Sequence, residues 1–335
     1  MTRKERVQRA VGNKRTDTVP YNIELTSMEL VKVTSHLGIK PGDFFEFAGN
    51  HIEKASYNIG GKDTGDGLFQ DEFGVKWDRS GLDKDTGIIR EIILKEPGLN
   101  GYKFPNPPIE QIKIVTEKVL NNGRDTFKLG KIGTTYFERA WSLRGMENLL
   151  MDFHLEPAFV EQLFDGILEY NLAIIESAVQ YNIDGFYFGD DYGQQTGLLM
   201  SPDTWRRFIK HGLAKMFGRV KAAEKVVALH CCGNVSEILG DLIDIGLDIY
   251  QTVQPEVYDL KKLKADYGKH LTFWGAISTQ RTLPFVKPDE LKRIVRETIE
   301  IMAVDGGYIA GPTHRVPDDV PPENVVALIE ALKGR

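Results

Sequence analysis

Two short stretches carry residue types that can do chemistry. His230-Cys231-Cys232-Gly233 closes the apolar run Val226–Leu229. On an extended strand end, residues i and i+2 face the same way, so His230 and Cys232 point together and Cys231 points away. An imidazole and a thiolate on one side form a borderline-soft pair suited to Zn²⁺. The other reading is a buried cysteine beside a hydrogen-bonded histidine, and the tetrapeptide alone leaves both open. A Cys231–Cys232 disulfide would be strained, and Cys231 reads as a small apolar filler. The second stretch is Gly185-Phe-Tyr-Phe-Gly-Asp-Asp191. Adjacent carboxylates in extended backbone point opposite ways, so one of Asp190 and Asp191 is expected to reach the chemistry, as an acid or a ligand.

Both stretches end runs that read as strands. From about Thr126 onward, short β-rich runs alternate with long amphipathic helices, the pattern of βα units and a parallel sheet. The strands read as Thr126–Ile132, Gly185–Phe188, Val226–His230, Ile249–Val253, Leu271–Trp274 and Gly307–Ala310. The helices between them include Pro157–Asn182, Pro202–Ala223, Ser236–Ile245, Pro288–Val304 and a final Pro322–Lys333. Earlier come a helix from Thr2 to Val11, a strand from Val19 to Glu24, a strand-like Ile88–Leu94 and a helix ending near Asn121. The fold class is therefore α/β, a (β/α)₈ TIM barrel formed by residues 1–335 as one domain. An irregular N-terminal excursion, about residues 25–101, is expected near the barrel mouth as a cap or insertion.

Function in such a barrel gathers at the carboxyl ends of the strands. That places Glu24, Thr134-Thr135-Tyr136, Asp190-Asp191-Tyr192, Gln254 and His314 beside the His-Cys pair. Glu24, Asp190 and Asp191 are the candidate acids. Tyr136, Trp141 and Tyr192 are candidate aromatic walls for a substrate, with Gln254 as a polar contact. His314 alone would pass for an exposed loop histidine. Gly130-Lys131-Ile132-Gly133 lacks the Gly-Lys-[Ser/Thr] ending of a phosphate loop.

Composition narrows the classes. Forty-eight acidic against 42 basic residues give a formal charge of −6, which argues against nucleic acid or an anionic membrane as partner. No apolar run approaches the ~20 residues that span a bilayer. The start has no apolar segment behind its charges, so no secretory signal is read and a cytoplasmic location is expected. Two adjacent cysteines exclude a disulfide framework.

Taken together, these residues resemble the uroporphyrinogen decarboxylase superfamily. The resemblance runs through Arg3-Lys-Glu-Arg-Val-Gln-Arg-Ala-Val-Gly12, Asp17-Thr-Val-Pro20, Asp71-Glu-Phe-Gly74 with Trp77, the Gly185–Asp191 stretch leading to Ser201-Pro202, Leu229-His-Cys-Cys-Gly-Asn234, Phe273-Trp-Gly-Ala-Ile277 and Gly306-Gly-Tyr-Ile309. Its decarboxylases grip propionates with N-terminal arginines. The segment Pro20-Tyr-Asn-Ile-Glu-Leu25 has none, which argues against a decarboxylase. The superfamily's cobamide-dependent methyltransferases carry His-x-Cys-Gly and a third zinc ligand, usually Cys, after the last strand. His230-x-Cys232-Gly233 matches, and His314 stands near the place of the absent cysteine. The resemblance implies Zn²⁺ on His230, Cys232 and His314, with Glu24 or Asp191 as substitutes for His314. It implies a methyltransferase of the O-demethylase type, moving methyl from a methoxylated aromatic small molecule to a cobamide carried by a partner corrinoid protein. A methylcobamide:thiol methyltransferase and a non-catalytic binding protein are the alternatives, and a homo-oligomer is left open.

Overall fold

The computed structural model describes residues 1–81, 85 and 87–334. The chain divides into two units: Met1–Glu53 with Arg124–Phe127 and Asp248–Arg335, and Lys54–Gly123 with Lys128–Leu247. Seven strands carry the main ladders: β1 (Ile52–Ser56), β2 (Phe127–Ile132), β3 (Gly185–Gly189), β4 (Val226–His230), β5 (Ile249–Val253), β6 (Thr272–Ile277) and β7 (Tyr308–Pro312). In the second unit β1 to β4 stand side by side in chain order, with β2, β3 and β4 paired in parallel. In the first unit β5, β6 and β7 do the same. Strands β3, β5, β6 and β7 are buried along their whole length, as expected where both faces of a parallel sheet are covered.

Helices return the chain between strands. Pro157–Ala178 leads to β3, His211–Ala222 to β4, Leu260–Tyr267 to β6 and Pro288–Met302 to β7. Pro288 opens its helix with Asp289 and Glu290 in the first turn, where a missing amide costs nothing and negative charge suits the dipole. The first helix, Arg3–Val11, is closed by a capping box between Thr2 and Glu5. Phe188 packs on Phe217 of the helix before β4, ring centroids 5.3 Å apart. Tyr187 consequently faces the other side of the sheet.

The structure departs from the sequence expectation at several places. The strand expected over Val19–Glu24 is reduced to isolated bridges, Tyr21 to Ala310 and Leu25 to Val316. Pro20 has no amide to donate, and only its carbonyl joins the ladder, accepting from the Ala310 amide. Ile88–Leu94 yields a two-residue strand, Ile88–Ile89. The early excursion is not wholly irregular: it contains the helix Ser27–Leu37, strand β1, and a small antiparallel sheet of Lys62–Gly65, Leu68–Gln70, Lys76–Asp78 and Ile88–Ile89. Residues 82–84 and 86 of that excursion lie outside the described residues. The helix Pro202–Ala223 is interrupted by a π turn over Arg206–Lys210. Two helices not anticipated, Phe137–Arg144 and Met146–Leu155, follow β2 directly.

Candidate metal centre

The second unit assembles the site from two neighbouring strand ends. His230 is the last residue of β4 and is in register with Gly189, the last residue of β3. Beyond β3 the chain runs through Asp190 and Asp191, and beyond β4 through Cys231 and Cys232. His230 Nε2 and Cys232 Sγ lie 3.5 Å apart, so the strand-end pair shares a side as its spacing requires. Asp191 joins them. Its Oδ1 is 3.8 Å from His230 Nε2 and accepts the Cys232 amide at 2.7 Å. One ligand atom from each of the three lies within 4.8 Å of the others.

Two glycines let these loops meet. Gly233 has φ +79, and a Cβ there would stand 2.4 Å from the Gly193 carbonyl carbon. A Cβ on Gly193 would stand 2.8 Å from the Cys232 oxygen. The Asn234 amide then donates to the Gln194 carbonyl at 2.8 Å. Backbone packed this closely fixes Asp191 against Cys232.

Asp190 and Asp191 diverge, as adjacent residues should. Asp190 is fully buried. Its carboxylate accepts the Phe137 amide at 2.9 Å, the Glu138 amide at 2.7 Å and the Tyr192 hydroxyl at 2.6 Å. It thereby closes the N-terminus of the helix Phe137–Arg144, the end that favours negative charge. Burial raises the Asp190 carboxyl above its ordinary value, and these donors pull it back. Asp191 keeps a third of its side chain exposed, 34%.

The electrostatics favour a cation. Burial foremost, then the Asp191 charge, pushes the Cys232 thiol well above its usual range. Glu138, in the first turn of the capped helix, is raised in the same way by burial and then by Asp191 and Asp190. Glu138 belongs to no motif, because an acidic residue in a helix's first turn is commonplace. Cys231 is fully buried, its sulfur accepting the Tyr192 amide at 3.2 Å.

The donor set fits zinc. Tetrahedral bonds of about 2.0–2.3 Å place ligand atoms about 3.3–3.8 Å apart, and the His230–Cys232 and His230–Asp191 separations of 3.5 and 3.8 Å fall there. Nitrogen, sulfur and carboxylate oxygen are all zinc ligands.

The remaining expected residues are placed as follows. Tyr136 is buried against Phe164, ring centroids 4.6 Å apart. Tyr192 is fully buried, and Trp141 is half-buried. Glu24, Gln254 and His314 belong to the first unit. There Glu24 is half-buried and accepts from the Asn22 amide group at 3.2 Å, Gln254 is buried, and His314 is exposed. Among the described residues no helix is long and apolar enough to cross a membrane.

The family described as uroporphyrinogen decarboxylase (URO-D) matches residues 133–335. A methylcobamide:CoM methyltransferase MtaA of Methanosarcina barkeri is 29% identical over 224 residues, 67% of this chain and 62% of that protein. The counterpart from the Fusaro strain is 28% identical over the same shares. The chain thus spans less than two thirds of the curated relatives it matches. Among solved structures, a methyltransferase from Methanosarcina mazei covers 100% of this chain and 99% of its own at 23% identity, with TM-score 0.74. A B12-independent methionine synthase from Shewanella sp. W3-18-1 covers 94% of each chain at 10% identity, with TM-score 0.50. At such identities the likeness concerns the fold, the α/β TIM-barrel class. With its family match over more than half of the residues and its His-x-Cys-Gly strand end in place, the chain belongs to the uroporphyrinogen decarboxylase (URO-D) family.

Proposed function

We propose that this chain is a zinc-dependent methyltransferase of the O-demethylase type. It moves a methyl group from a methoxylated aromatic small molecule to the cob(I)alamin of a separate corrinoid protein. The observation that carries the reading is the convergence of His230, Cys232 and Asp191 within 4.8 Å at two adjacent strand ends. The curated relatives, named for methylcobamide-dependent methyl transfer, support the reaction class.

His230, Cys232 and Asp191 would hold the metal, leaving a fourth position open, the pattern of a catalytic zinc. Bound zinc would supply a Lewis acid for the ether oxygen. An alkyl aryl ether resists cleavage because the oxygen leaves with the bonding pair. In the transfer the O–CH₃ bond breaks, the Co–CH₃ bond forms, and the aryl oxygen takes a proton. Glu138, whose carboxyl is raised by burial and then by the neighbouring Asp191 and Asp190, is suited to give that proton. Asp190 positions the helix that carries Glu138. Trp141, with an exposed part, serves as an aromatic wall.

A second reading is methyl transfer to a thiol, favoured by the reaction in the curated relatives' names. One sulfur and one carboxylate make a harder site than two sulfurs, which favours an oxygen partner. Mixing the zinc-loaded protein with cob(I)alamin and a panel of methoxyarenes decides between them. Methylcobalamin and free phenol are the expected products, and Glu138→Gln should slow their formation by about 10²–10⁴-fold. Methyl thioether formed from methylcobalamin and a thiol, with no ether cleaved, would replace this reading by the second.

A further inference from the structure

Lys54 and Lys131 stand where a barrel strand normally carries apolar side chains. Each is the half-exposed residue in a mostly buried run, Lys54 within β1 and Lys131 within β2. Lys131 is in register with Tyr187 of β3, and residues in register across a parallel sheet share a face. His230 pairs with Gly189, two residues beyond Tyr187, and so lies on that face as well. The contacts agree: the Lys54 ammonium sits 4.3 Å from the Tyr187 ring centroid, and the Tyr187 and His230 rings are 6.2 Å apart. Phe188, one residue on, packs against the helical side instead. The Lys54 ammonium thus lies over the Tyr187 ring and Lys131 shares its face of the sheet, the side that carries the metal-ligand histidine.

We propose that Lys54 and Lys131 form an anion subsite that recognises the carboxylate of an aromatic methyl donor. The steps from Lys54 to Tyr187 and from Tyr187 to His230, 4.3 and 6.2 Å, keep the Lys54 ammonium within the length of one substituted ring of His230. A carboxylate held at the lysines would aim a methoxy group on the far side of that ring at His230 and Cys232. This assignment rests on the methyl-transfer reading for its donor but not for its test. The competing role for the lysines is to balance the charge of Asp190, Asp191 and Glu138; the Lys131 charge does reach Glu138.

Calorimetric titration of the zinc-loaded protein, without any corrinoid, separates the two roles. The ligands are a methoxybenzoate and the neutral methoxybenzamide of the same shape. The acid is expected to bind at least about tenfold more tightly than the amide, the range of a charge-assisted hydrogen bond. Lys54→Met and Lys131→Met should each remove most of that preference while changing amide binding less than twofold. Circular dichroism and zinc content establish that the variants are folded. Equal binding of acid and amide by the wild type, or equal weakening of both ligands in the variants, overturns the proposal. A sulfonated thiol titrated in parallel tests the source of the anion: tighter lysine-dependent binding of that thiol overturns the donor assignment and moves the subsite to an acceptor. Lysine-dependent binding of the acid without methyl transfer to cob(I)alamin would keep the subsite and remove the reaction instead.

Discussion

Replacing Asp190 by Asn tests whether this carboxylate is a structural clamp. The wild-type oxygens serve three donors: Phe137 and Tyr192 on Oδ2, Glu138 on Oδ1. Asparagine keeps one acceptor oxygen. Placed at the Oδ2 position, it still satisfies the Phe137 amide and the Tyr192 hydroxyl. Its NH₂ then faces the Glu138 amide where a 2.7 Å hydrogen bond stood. One charge-assisted bond is lost and two buried donors oppose each other, while removal of a buried charge returns part of the cost. The net loss is about 2–4 kcal/mol, against about 1.5 kcal/mol for Tyr192→Phe, which removes one donor and leaves two. Urea unfolding of the metal-free protein measures both without a contribution from ligand binding. Asp191→Asn is the contrast. Its exposed carboxamide can still accept the Cys232 amide, so the unfolding midpoint should barely move, while zinc affinity should fall by about 10-fold or more. An Asp190→Asn protein within about 0.5 kcal/mol of wild type would refute the clamp.

Two further outcomes follow from the same reasoning. His51 is 2% exposed with no hydrogen-bond partner on either ring nitrogen among the described residues, and burial lowers its pKa to about 4. The unfolded chain takes up the proton near pH 6.5 and the folded one does not, so stability falls as pH drops from 6.5 to 4. The amount is about 3 kcal/mol, and His51→Phe should flatten that limb in urea titrations at pH 7 and 4.5; an unchanged slope would remove His51 as its source. Gly233→Ala forces a left-handed conformation on alanine and drives its Cβ to 2.4 Å from Gly193. Separation of the two loops should then weaken zinc binding by at least about tenfold in a chelator competition, and an affinity equal to wild type would show that loop contact is dispensable.

Much of the centre was legible because strand periodicity is local. Val226–His230 and Ile249–Val253 match their predicted strands residue for residue, and the period of two alone puts His230 and Cys232 on one side. The divergence of Asp190 and Asp191 follows from the same rule. The partner of each carboxylate was not legible, because it depends on contacts between loops. Asp190 is claimed by a helix that begins more than fifty residues earlier, and Asp191 reaches Cys232 only because two glycines let backbones touch. Glu138 and the lysines of β1 and β2 carried no local signal; their meaning comes from the register between strands. The Pro20–Leu25 segment misled for the opposite reason: its composition is that of a strand, but its proline leaves the ladder incomplete.

The proposed methyl transfer requires zinc at His230 and Cys232. The direct measurement is zinc per chain by inductively coupled plasma mass spectrometry, paired with methylcobalamin formation, on wild type and Cys232→Ser. About one zinc in the wild type, lost together with activity in Cys232→Ser, is the predicted result. A metal-free wild type that transfers methyl at full rate would contradict it.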